Sequence, residues 1–309
     1  FAQNETFSTL SCILLLQPKT ATGAGRSREE VIEEMAKSIL ERVPQPVNIA
    51  DVTKKHPVMY EESMNTVLIQ EVIRYNRLLV VIHRTLNELL KALKGLVVLS
   101  QELETMSNSM YINMVPELWA GKAYPSLKPL SSWVTDLVAR MHFLQSWIDD
   151  GIPSVFWISG FFFPQAFLTG TLQNYARRAI ISIDTIGFDF AVMKEASDQI
   201  TQRPENGCYV RGLYVEGARW DADKHRLTES RPKELYTDMP VMQFIPAANR
   251  SEPETGVYQC PVYKTLTRAG ALSTTGHSTN YVLPVEVPSD KPQFHWIKRG
   301  VALICALDY

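Results

Sequence analysis

Apolar residues recur every three or four positions through the first half of the chain, and in short runs cut by turn residues through the second. Between residues 61 and 106 the apolar positions are Met64, Leu68, Val72, Tyr75, Leu79, Ile82, Leu86, Leu89 and Leu93. On a helix this spacing draws one continuous seam, with Arg74, Arg77, Arg84, Glu88 and Lys91 off it. One or two core-packed helices are predicted, with Gly95 marking a break or a close approach. A free coiled coil is the alternative.

Two further helices follow from the same reading. Ser27-Arg28-Glu29-Glu30 forms a capping box, Val31, Ile32, Met35, Ile39 and Leu40 share a face behind it, and Pro44 and Pro46 stop the helix. After a connector punctuated by Pro116, Pro125 and Pro129, residues 132–149 place Trp133, Leu137, Met141, Leu144 and Ile148 on one side, with Gly151 as the stop. The early run STLSCILLLQ (residues 8–17) is a strand or a buried helix; its length does not separate the two.

Residues 151–176, GIPSVFWISGFFFPQAFLTGTLQNYA, contain no Asp, Glu, Lys or Arg. Length alone would admit a membrane span, which needs about twenty apolar residues. Pro153, Gly160, Pro164 and Gly170 interrupt it, however, and Gln165, Gln173 and Asn174 lie within it. Pro164 fits the first turn of a helix reaching about residue 178. Phe167, Thr171, Leu172 and Tyr175 then share a face, and Arg177 and Arg178 complement the C-terminal dipole. VFWISGFFF becomes an aromatic turn belonging to a core or an interface. A greasy ligand pocket is the weaker reading.

Beyond residue 180 short runs alternate with Gly, Pro and Asn: AIISID, GFDFAVM, CYVRGLYVEGARW, MPVMQFIP, VYQCPVYKT, NYVLPVEV and GVALICAL. This texture predicts an antiparallel sandwich or barrel. The chain therefore reads as helical first and all-β last.

Composition narrows the function classes. With 309 residues, 45% hydrophobic, 21% charged and a net charge of −2, the chain has the profile of a globular protein of two or three units. It lacks the basic balance of a nucleic-acid binder. Cys12, Cys208, Cys260 and Cys305 are scattered in apolar settings without a CxxC, which favours reduced core thiols and a cytosolic compartment. The sequons at Asn4 and Asn249 stand alone. Phe1 is followed by no basic n-region, so no signal peptide is expected, and the chain starts in mid-pattern as though cut from a longer polypeptide.

No motif carries catalysis. Residues 20–27, TATGAGRS, lie where a P-loop would, but Thr20 replaces the first Gly and Arg26 the Lys. Ser273, His277 and Ser278 offer hydroxyls beside an imidazole, without a nucleophile elbow; a turn between strands accounts for them. The six histidines show no metal-ligand spacing, and Glu216 and Asp221 flank Trp220 with no cleft implied.

The stretches EESMNTVLIQEVIRYNRLLVVI, LKALKGLVVLSQELE, VPELWAGKAYPSLKPLSSWVTDL, FWISGFFFPQAFLTGTLQNYARR, GLYVEGARWD, CPVYKT and WIKRGVALICALDY together resemble the C-terminal end of a dynein heavy chain. They occur in that family's order and cover essentially the whole chain. GHSTNYV and KPLSSWVTDL resemble axonemal, inner-arm dyneins most. The resemblance implies an α+β multidomain fold: residues 1–115 as the helical small part of the sixth AAA+ module, 116–180 as the helical part of the C-terminal domain, and 181–309 as an antiparallel β-barrel. It implies a non-catalytic segment that packs on the AAA+ ring in cis and modulates ATP-driven, minus-end-directed movement on microtubules. ATP and Mg would bind upstream, and no cofactor or metal is expected here. Microtubule contact through an upstream stalk, axonemal regulators as further partners, and a location in the cytoplasm and the axoneme of cilia or flagella are implied likewise. Neither nucleic acid nor membrane is expected as a partner. The candidate ring-interface residues are Trp133, Trp157, Phe161, Phe162 and Phe163. Two rivals remain: a β-barrel hydrolase using Ser273 or Ser278 with His277, and a docking module whose barrel binds an axonemal regulator.

Overall fold

The computed structural model describes residues 27–250, 255–272 and 276–309. The run at 8–17, the loop at 20–26, Cys12 and Ser273 lie outside the described residues.

Helix α1 (Arg28–Arg42) starts on the anticipated box: Ser27 Oγ accepts from the Glu30 amide, and the Glu30 carboxylate accepts from the Ser27 amide. A short α2 (Ile49–Lys55) leads to α3 (Ser63–Leu93), 31 residues long. The predicted seam is real: Met64, Leu68, Val72, Tyr75, Leu79, Ile82, Leu86 and Leu89 are all buried. Each burial of this kind contributes roughly 1.5–3 kcal/mol before the entropy of ordering is subtracted. Gly95 takes φ +71 and releases the chain into α4 (Gln101–Tyr111), capped by Ser100. That positive φ is where a residue without Cβ is needed.

A single turn, α5 (Glu117–Ala120), precedes α6 (Leu130–Asp150), which ends at Gly151 with φ +92. Next come β1 (Val155–Trp157), a 3-10 turn (Ile158–Gly160) and α7 (Pro164–Ala179), with Pro164 in its first turn as anticipated. None of the described helices is long and apolar enough to cross a membrane.

The remaining strands are β2 (Ile186–Val192), β3 (Cys208–Arg211), β4 (Tyr214–Glu216), β5 (Arg219–Asp221), β6 (Arg226–Thr228), β7 (Tyr236–Asp238), β8 (Met242–Ala248), β9 (Val257–Thr265), β10 (Tyr281–Pro288) and β11 (Ala302–Ala306). A short helix, α8 (Gln293–Lys298), precedes β11.

The expected antiparallel β-barrel is not formed. The strands make separate open sheets instead: β1-β3-β8-β2, β10-β9-β11-β4-β7, and the pair β5-β6. Nor is the pairing wholly antiparallel, since β1 runs parallel to β3 and β11 parallel to β9. The edge strands β2 and β10 lie near each other, yet they belong to different sheets. One physical reason is written in β10. Pro284 and Pro288 have no amide hydrogen to donate, so this strand suits an edge; Pro284 even sits opposite Pro261 of β9. Where a barrel would have a ladder, Arg250 forms ion pairs with both Asp189 of β2 and Glu286 of β10.

Helices and sheets share one hydrophobic core. A single cluster of buried side chains runs from Ile32 through Leu68, Trp133 and Phe161 to Val210, Phe244 and Cys305. A smaller cluster (Ala302, Ile304 and Leu307) lies on the other face of β11, so that strand is buried on both sides.

Candidate functional site

The charge-free stretch at 151–176 wedges between the long helix and the sheets, and three side chains outside it fix its path. Glu71, on α3 and fully buried, accepts hydrogen bonds from the amides of Phe162 and Phe163 while pairing with Arg74 at 2.8 Å. These are amides at the start of α7, where a helix has donors without intrahelical partners. A carboxylate supplied by another helix therefore does the work of a side-chain cap. Burial pushes the Glu71 pKa up, against the opposing pull of the two amides and of Arg74.

Tyr75, one turn along α3, donates to the Gly160 carbonyl at 2.8 Å. Arg140, on α6, is buried with its charge: it donates to Asp136 at 2.7 Å and lies 3.7 Å from the Tyr124 ring centroid. Its guanidinium also approaches the Tyr75 hydroxyl and the Trp157 ring. A buried cation is tolerated only with such partners, because desolvation otherwise costs several kcal/mol. Ser159 closes the path: its single hydroxyl proton is shared between the carbonyls of Gly212, in the link from β3 to β4, and Cys305 of β11, while β1 just before it pairs with β3.

The five candidate aromatics separate into distinct positions. Trp133 is 1% exposed and stacks on Trp119 and Tyr124. Phe161, 3% exposed, stacks on Phe167 with centroids 4.5 Å apart. Phe162 is half-buried and meets Tyr75 and Tyr124 edge-on. Trp157, also half-buried, lies near the guanidinium groups of Arg140 and Arg211 and lines a groove of about 750 Å³ with His142, Phe143 and Trp147. Only Phe163 is substantially exposed, at 42%. Consecutive residues thus point inward, sideways and outward, which no helical or strand periodicity would have indicated.

Sequence reasoning missed Glu71, Tyr75 and Arg140 as organisers of this turn. Tyr75 reads simply as part of the apolar seam, and Glu71 lies beside it as an acid at a buried helical position. That mismatch was the available signal, since a buried charge needs a partner.

The other candidates do not assemble into chemistry. His277 stacks on Tyr281 with centroids 4.4 Å apart, and Ser278 Oγ accepts from the Asn280 amide, within the turn anticipated for this segment. Asp221 accepts from the amides of Asp223 and Lys224, which hold its carboxyl below the usual range, while Glu216 pairs with Arg268. Cys208, Cys260 and Cys305 are free and buried; burial pushes the Cys208 and Cys305 thiols up to about 12, far from thiolate reactivity. Among the described residues no three His, Cys, Asp or Glu side chains gather to hold a metal.

Fold and site together define a long helix and two open sheets joined through a buried aromatic and ionic hub. Residues 3–305 match the family model for the C-terminal domain of the dynein heavy chain, and the protein belongs to that family. It is 66% identical over 309 residues to dynein axonemal heavy chain 1 of Mus musculus and, at the same level, of Homo sapiens. Against dynein axonemal heavy chain 3 of Mus musculus it is 52% identical over 304 residues. All 309 residues are covered in the first two comparisons and 98% in the third, but they span only 7% of the length of each of these relatives.

Proposed function

We propose that this protein is the non-catalytic C-terminal segment of an axonemal dynein heavy chain, packing on the motor's AAA+ ring in cis and modulating ATP-driven, minus-end-directed movement along microtubules in cilia and flagella. Residues 1–115 would belong to the small helical part of the sixth AAA+ module. The observation that carries the reading is the family match from residue 3 to 305, with relatives named as axonemal heavy chains. Its mechanical side draws support from the shared core: a brace transmits force only if its parts do not slide, and here α3, α6 and both large sheets are pinned at the 155–163 turn.

Of the five candidate contacts, Phe163 and, in part, Trp157 and Phe162 keep surface to offer a ring, whereas Trp133 and Phe161 serve through packing inside the domain. In the complete motor, Phe163→Glu is expected to alter gliding velocity or stall force while leaving the domain folded. Unchanged velocity, force and ATPase in both Phe163→Glu and Trp157→Ala would overturn the modulatory role.

A second reading, a docking module for an axonemal regulator, is favoured by α8, which leaves Phe294 63% and Ile297 61% exposed. Phe294→Ser with Ile297→Ser would then release that regulator without changing the isolated motor's velocity.

A further inference from the structure

Beside the exposed Phe163 lies a cleft of about 510 Å³, walled by α3, the turn after α5 and strand β9. Its charged lining is all of one sign: Arg74, Arg77, Lys122 and Lys264, around the rings of Phe162 and Phe163. Arg74 and Lys264 lie 5.4 and 5.5 Å from the centroid of the same Phe163 ring, so two cations are held close together. The carboxylate at the base, Glu71, is already engaged by the amides of Phe162 and Phe163 and by Arg74. The side chains of Arg77 and Lys122 make no hydrogen bond or ion pair with other described residues. Lys264 is half-buried, and loss of water pulls its pKa down, a cost that an incoming anion would offset.

We propose that this cleft seats an acidic segment of the same heavy chain, from outside residues 1–309, whose carboxylates pair with Arg77 and Lys122 beside Phe163. The inference rests on the reading of this protein as a part that packs on its own motor. Three observations favour that occupant. An open cleft whose clustered cations include two without an ionic partner, Arg77 and Lys122, is complementary to carboxylates, which Arg binds in a planar, two-pronged manner. Phe163 already carries two cations, so the ring is suited to the stems of charged side chains rather than to a stacked base. Finally, these residues span 7% of the relatives' length, so a covalently attached acidic segment would be present at high effective concentration.

The test is zero-length cross-linking of the full-length heavy chain with a water-soluble carbodiimide, which joins a lysine amine to a carboxylate in direct contact. Mass spectrometry is expected to find Lys122 or Lys264 linked to an Asp or Glu upstream of residue 1. Arg77→Glu should lower the yield on the order of tenfold, since like charge then faces the segment, and Arg77→Lys should restore it. Arg77 is exposed, so neither change threatens the fold. If other lysines such as Lys298 link to the upstream polypeptide while Lys122 and Lys264 stay unlinked, the cleft assignment fails and ring packing survives. Links from Lys122 to a separate polypeptide alone would overturn an occupant in cis. Should no lysine of this domain link upstream at all, both readings fall.

Discussion

Two seams hold this molecule together, and they are built by opposite means. Where the 155–163 turn meets α3 and α6, a buried carboxylate, a buried guanidinium and a buried phenol fix the backbone of an aromatic wedge. Where the edges of the two large sheets approach, β2 and β10 are bridged by Arg250 through Asp189 and Glu286, nearer the surface and with no ladder between them. The first seam excludes water, so removing one partner strands another. The second is solvated on its Asp189 side, so part of the same loss is shared with water there, while the Arg250–Glu286 contact is buried. A buried polar hub makes a joint specific, while a rim ion pair mostly sets its register.

The sharpest way to break this comparison is at the hub. Arg140→Ala is expected to cost about 3–5 kcal/mol, because it abandons Asp136 and empties the space against Tyr124; urea unfolding of the domain would read it. Within the sheets the largest effect belongs to the backbone. Gly207 has φ +81, and a Cβ there would stand 1.9 Å from the Phe244 carbonyl oxygen of β8. Gly207→Ala is therefore expected to cost about 2–3 kcal/mol, with hydrogen exchange accelerating first in β3 and β8. Gly207→Ala leaving exchange in these strands unchanged would mean that the β3–β8 ladder is looser than its pairing implies.

Glu71→Gln comes next, at about 1–3 kcal/mol, since the new NH2 group turns a donor toward one of the two backbone amides from which Glu71 accepts. It also carries a pH signature. The folded-state pKa of Glu71 is raised by burial, so its favourable contribution is complete below the ordinary carboxylate value and is lost as pH rises through the raised one. The stability difference between wild type and Glu71→Gln should narrow over that window, and a difference that widened would show the carboxylate to be the preferred form. Smallest of all is Arg250→Gln. A loss of about 1 kcal/mol is expected, the Asp189 share diminishing with added salt and the share of the more buried Glu286 not. A much larger loss would mean that the second seam is as dry as the first.

How much of this was legible depended on whether neighbours in sequence were also neighbours in space. The α1 box, the α3 seam, the stop at Gly151 and the Pro164 start were readable because each is settled within one or two helical turns. The interior of the aromatic stretch was not. Phe161, Phe162 and Phe163 are equivalent on any hydropathy scale, and their three directions follow from Glu71 and Tyr75, about 90 positions away. The barrel expectation failed for a related reason. Short runs between turns identify strands without saying which edges meet, although Pro284 and Pro288 were a visible hint that β10 would be an edge. The parallel pairing of β1 with β3 joins a strand inside the helical half to the sheet half, and no local pattern announces such a partner.

The amino-acid sequence by itself determined helices α1, α3, α6 and α7, their inward faces, the strand-rich second half and the family. These follow from periodicity, capping and the order of recognisable stretches along the polypeptide. Tertiary structure alone decided that the sheets stay open, that one core runs through both halves, and that three successive phenylalanines end up buried, half-buried and exposed, the last two beside a basic cleft. Burial forces every charged or hydrogen-bonding group to find a partner, and the partner is chosen by distance in space, to which separation along the sequence is no guide.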